Sequence, residues 1–136
     1  MAQPIAVKDG QAFAFPNVCL TPVPGASPVP IPYPSIADLG GADDVSENVT
    51  VGGLGVILAE TSSVASTSGD EAGTDGGVTS MTNGGKAEFP VGSGSVLING
   101  KKVVRMGDTA NMNVGDPGAN AVGTVLSGDA SVLVGG

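Results

Sequence analysis

Val96-Leu97-Ile98-Asn99-Gly100-Lys101-Lys102-Val103-Val104-Arg105-Met106 is the stretch on which the fold turns. An apolar, β-branched run enters Asn-Gly, and a second alternating run returns. A type I′ turn needs positive φ at both central residues, which Asn tolerates and Gly adopts freely, so the spacing predicts a β-hairpin over 96–106. Period-two alternation puts Val96 and Ile98 on one face and Leu97 on the other. A domain this small needs its β-branched side chains inside, so Ile98 is expected to face the core.

The same pattern occurs twice more, at Val49-Thr50-Val51-Gly52-Gly53 and at Val132-Leu133-Val134-Gly135-Gly136. The run 53–59 can return from the first copy, whereas the third copy ends the sequence. Three copies of one strand-and-turn unit predict approximate internal threefold symmetry.

Working outward, 136 residues suit one domain, and the chain is read as a single unit over 1–136 with no C-terminal effector extension. Val outnumbers Leu 19 to 7, a bias that favours pleated strands and leaves little room for an all-α fold. Residues 13–37 hold seven of the ten prolines interleaved with Phe13, Phe15, Val18, Leu20, Val23, Val29, Ile31 and Tyr33. Proline fixes φ and removes a donor, so this segment is expected to be an extended apolar strap on a β core. Residues 40–48 and 61–77 are small, polar and acidic and read as loops, with a short helix at Thr61–Ser66 as an option. The fold class expected is mainly β: a small, conical, hairpin-rich domain with threefold internal symmetry and a Pro-rich extended N-terminal strap.

Histidine and tryptophan are absent and Cys19 is the single cysteine, which excludes a His-based triad, a His-containing zinc site and an internal disulfide. The net charge of −8 repels nucleic acid, and Lys86, Lys101, Lys102 and Arg105 are too few to reverse that. No apolar run reaches the roughly 18 residues of a membrane span, and residues 1–16 have no signal-peptide core. Synthesis in the cytoplasm is expected.

Gly52-Gly53-Leu54-Gly55 lacks the third glycine of a dinucleotide loop and reads as a hairpin turn. Gly85-Lys86 and Gly100-Lys101 lack the Ser or Thr of a P-loop. Asp108-Thr109-Ala110 resembles the turn of an aspartic protease, but no partner motif exists and Gly107 breaks the approach, so Asp108 reads as a turn residue accepting backbone amides. Cys19 has no activating base and sits among apolar residues, as a small buried hydrophobe does. Asp70, Glu71 and Asp75 offer the hard oxygens that calcium takes, but without EF-hand spacing, so they read as a solvated acidic loop and calcium is not expected there. No constellation supports catalysis, and a structural or binding role is expected.

Three stretches resemble the PAAR-like family, small proteins that cap the spikes of contractile injection machines such as type VI secretion systems. Phe15–Pro22 continuing through Pro30–Ala37 is similar to its N-terminal signature, and Ser68–Val78 to its central one. Gly100–Asp108 resembles the naming segment, with Lys102-Val103-Val104-Arg105 standing for Pro-Ala-Ala-Arg. The resemblance implies a non-enzymatic cap on a trimeric β-helical spike, one per trimer. It further implies an effector or adaptor as partner, transient membrane contact on firing, and delivery out of the cell at the spike tip. Zinc-bearing relatives use histidines and a cysteine; with no histidine here, no cofactor is expected. A hydrolase or lyase on a Gly-rich β scaffold and a β-rich surface adhesin remain as alternatives, the first calling for a cleft of carboxylates with displaced pKa values and the second for a secretion signal.

Overall fold

The computed structural model describes residues 2–136 and is built of strands, several of them only two residues long; of the expected return run Lys101–Met106 only Lys101–Lys102 is strand. In chain order the strands are β1 (Gln3–Ile5), β2 (Gln11–Thr21), β3 (Val29–Asp38), β4 (Ala42–Asp43), β5 (Thr50–Val51), β6 (Leu54–Gly55) and β7 (Ser63–Val64). Then follow β8 (Gly76–Gly77), β9 (Lys86–Glu88), β10 (Leu97–Ile98), β11 (Lys101–Lys102), β12 (Thr109–Gly115), β13 (Gly118–Val125) and β14 (Asp129–Val134). A 3-10 turn at Leu39–Gly41 is the single helical element among the described residues. The protein is therefore mainly β, as its composition predicts.

Turn chemistry decides the hairpins. Asn99 and Gly100 have φ of 53° and 77°, and Gly52 and Gly53 have 60° and 81°, so both turns carry the two left-handed residues of type I′. β5 pairs with β6 through Val51 and Leu54, and β10 with β11 through Ile98 and Lys101. The third copy also has a return strand, supplied by the other end of the chain: β14 pairs with β1, Val134 opposite Gln3 and Leu133 opposite Pro4.

Three residues beyond Gln3, Leu54 and Lys101, the three return segments meet in a closed ring. The amide of Ala6 donates to Val104 (2.9 Å), Val104 to Ile57 (3.0 Å) and Ile57 to Ala6 (3.0 Å). A second set repeats the cycle in the opposite sense, from Lys8 to Gly55 (3.0 Å), Ala59 to Lys102 (2.8 Å) and Met106 to Pro4 (2.8 Å). Every bond occurs three times at equivalent positions, so the expected threefold symmetry is present in the backbone.

The ring is also a seam between two apolar cores. Ala6, Ile57 and Val104 pack into a larger core with Leu39, Phe89, Met112 and a set of alanines. Their chain neighbours Ile5, Val7, Val56, Leu58 and Val103 join Val134 in a smaller core beneath the hairpins, where Val51, Leu54 and Ile98 also pack. Period-two alternation sends successive side chains to opposite faces, so one extended segment serves both.

The large sheet runs β3-β2-β13-β12-β9-β7-β4, with β8 also on β2. The proline-rich segment is extended, and it takes the form of a long β2–β3 hairpin rather than a single strap. β3 tolerates its prolines because it lies at the sheet edge. Ile36 bonds outward, exchanging amide and carbonyl with Ser68 at 2.9 Å each way. Pro30, Pro32 and Pro34 share the parity of Ile36, so their missing donors fall on the outer edge and cost no pairing with β2.

Two loop expectations need correction. Residues 61–66 form no helix: β7 pairs with β4 and β9, and Ser62 Oγ takes the Leu58 amide and donates to the Asp44 carbonyl, each at 2.9 Å. Serine hydroxyls competing for the backbone, with Val64 buried in the sheet, override any helical start. Nor is 61–77 wholly a surface loop, since Val64, Thr67 and Asp70 are buried.

Candidate functional site: a threefold face and a buried polar centre

The hairpins have an inner and an outer side. Val51, Ile98 and Val134 point into the smaller core. The position next to them holds Thr50, Leu97 and Leu133, all exposed, with Leu97 and Leu133 at 56% and 60%. One residue earlier stand Val49, Val96 and Val132, exposed by 40%, 36% and 38%. Such near-equal values are expected of equivalent positions. Ile98 thus faces inward as the alternation predicts, while Val96 stands at the rim.

Neighbouring units are tied in one rotational sense. Asn48 of the first unit exchanges side-chain amide bonds with Asn99 in the second turn (3.2 and 2.9 Å). Ser93 Oγ of the second unit donates to the Gly135 carbonyl of the third at 2.7 Å. The Asp129 carboxylate of the third lies against Gly52 in the first turn, 3.0 Å from where a β-carbon would stand. Arg105 breaks the symmetry. It takes the place of Val7 and Leu58, and its guanidinium donates to Gly135 O (3.0 Å) and bidentately to Asp108 (2.9 and 3.1 Å).

Asp108 also accepts the Arg105 amide at 2.9 Å, so it is the backbone-accepting turn residue expected, with an ion pair added. The structure divides the basic stretch of sequence. Arg105 is committed to Asp108, Lys86 pairs loosely with Glu88 on β9 (3.4 Å), and Lys101 and Lys102 stand exposed on β11.

A second feature escaped the sequence. Asn17, Cys19, Asp70 and Asn113 are buried together. Asn17 Oδ1 accepts from Asn120 Nδ2 (2.6 Å) and Asn113 Nδ2 (3.1 Å), with the Cys19 thiol at 3.7 Å, while its Nδ2 donates to Asp70 Oδ2 at 2.9 Å. Asp70 Oδ2 also takes the Gly84 amide (3.2 Å), and Asn113 Oδ1 takes that of Gly85 (2.7 Å). Asn120 further holds Val18 O and the amides of Thr79 and Ser80. Cys19 is buried as expected, but among polar groups. Burial, the Asp70 charge and a hydrogen bond to Asp70 push its thiol up from 9.0 to about 11.

The acidic trio does not act together. Asp70 belongs to this centre, Asp75 is exposed, and exposed Glu71 folds back on the Gly69 amide (3.0 and 3.1 Å), which holds its carboxyl below the usual range. Asp129 is likewise held down, by Ser131. Among the described residues no three His, Cys, Asp or Glu side chains converge as metal ligands. A cleft of about 670 Å³ between the first two hairpins is lined by Asp43, Asp44 and Glu47 with Lys8 and Lys101.

With the ring and the hairpin face in view, the comparison with known families is specific: the profile of the Toxin PAAR-like domain matches residues 10–123. The chain belongs to that family. Membership points to spike-tip or toxin-associated work in a secretion system, in which PAAR-like domains are structural. No curated protein and no solved structure matches the chain. The match includes the first two hairpins, and the strands of the third fall outside it.

Proposed function

We propose that the chain is a non-enzymatic cap that docks by its hairpin face on the end of a trimeric β-helical spike in a contractile injection machine. It is made in the cytoplasm and leaves with the spike. The observation that carries this reading is the backbone ring with its three equivalent strand pairs, two of them hairpins. A homotrimer ends in three identical surfaces, and a single chain matches them only by presenting one motif three times. Leu97, Leu133 and the rim valines supply apolar contact, and short hairpin strands offer backbone groups for pairing without demanding particular side chains. Self-association of the free cap through the same edges is a corollary.

The test is co-purification with the cognate trimeric spike protein. Leu97→Asp combined with Leu133→Asp is expected to abolish capture while leaving the melting temperature near that of the wild type, because both side chains face outward. Ile98→Asp and Val134→Asp are expected to unfold the domain instead. A folded double variant at Leu97 and Leu133 that still binds would falsify the assignment of this face.

A further inference from the structure

We infer that Asn17, Asn113, Asn120 and Asp70 fasten their four chain segments by side-chain hydrogen bonds alone, in a centre that does not take zinc. The family resemblance implies zinc in relatives that bear histidines and a cysteine, and the donors of this centre do not fit that ion. Zinc sites of the structural kind are closed by four sulfur or nitrogen ligands, with thiolates rather than thiols. Here one sulfur is present, and its thiol is turned toward Asp70 Oδ2 at 3.7 Å. Most of the oxygens are already engaged: Asn17 Oδ1 by two amide groups and a thiol, Asp70 Oδ2 by Asn17 and Gly84, and Asn113 Oδ1 by Gly85, which leaves Asp70 Oδ1 and one sulfur, too few donors to close a zinc site. N–H groups therefore point at the atoms a cation would need, an arrangement that favours an anion such as Asp70 and repels a metal.

The bonds span distances that a metal clip would otherwise close. Asn17 on β2 reaches 53 residues to Asp70, 96 to Asn113 on β12 and 103 to Asn120 on β13. Asn83 adds a bond to Gly73 O at 2.9 Å and one to Asp70 O, closing the 70–85 loop on itself. Buried polar networks hold segments in one arrangement when every member is satisfied, and lose far more than one bond when the hub is removed.

The test uses the full purified chain. Elemental analysis is expected to find only trace zinc, and the melting temperature is expected to be the same with chelator, without it, and with added zinc. Asn17→Leu, which takes one partner each from Asp70, Asn113 and Asn120, should lower melting by about 10 °C, and Asn120→Ala by about 4 °C. Cys19→Ser should cost less than Asn120→Ala. Should Asn17→Leu fail to fold, Asn120→Ala keeps the hub measurable. Stoichiometric zinc, melting lowered by chelator and restored by zinc, or a Cys19→Ser loss as large as that of Asn17→Leu would each overturn the inference.

Discussion

Asn17 and Cys19 face inward because β2 changes parity. Ala12 and Ala14 are buried in its first half; the register against β3 shifts between Ala14 and Asn17, and thereafter odd-numbered residues turn in. Strict alternation from Ala14 buries Pro16 and Val18 and turns Asn17 and Cys19 outward, so only the apolar setting of Cys19 points to its burial and nothing in the sequence points to its neighbours. Those neighbours have a titration consequence. The unfolded thiol ionises near 9.0 and the folded one near 11, so the stability from keeping it protonated is whole below 9 and is lost as pH rises through 11. Thermal melts across that window should fall more steeply for the wild type than for Cys19→Ser. Parallel curves would show that burial and the neighbouring Asp70 do not raise the thiol's pKa in the folded chain.

At the scale of elements, the hairpins at 50–55 and 97–102 were legible because their cause is local: two left-handed residues between β-branched runs. The third was half legible. Its outgoing strand, Val132 to Val134, repeats the pattern, but Gln3-Pro4-Ile5 has no turn before it and pairs with residues at the far end of the chain. Close approach between strands was likewise invisible. A β-carbon on Gly123 would collide with the Phe13 carbonyl and with Ala14 of the paired strand, neither of which can move alone. Gly123→Ala should therefore cost about 3 kcal/mol through overpacking. Gly53→Ala, left-handed but with open space around it, should cost only about 1 kcal/mol. Chemical denaturation measures both, and equal losses would mean that the β13–β2 contact yields easily.

On the scale of the whole molecule, the ring of Ala6, Ile57 and Val104 draws together segments from the beginning, middle and late parts of the chain, and both cores meet there. Composition and repeats made the β class and the threefold order legible, because each copy carries its own turn signal. Which faces are outward, and that β1 and β14 pair to complete the third unit, depended on pairing across the whole sequence. In the proposed docking one chain sits on the threefold axis of the spike, since it already presents its strand-pair motif three times. The most direct test is the mass of the purified complex with the trimeric spike, by native mass spectrometry or light scattering. One chain per trimer, retained in high salt because apolar and backbone contacts dominate, is the predicted result. Saturation at three chains per trimer, or a complex that survives only at low salt, would contradict the account.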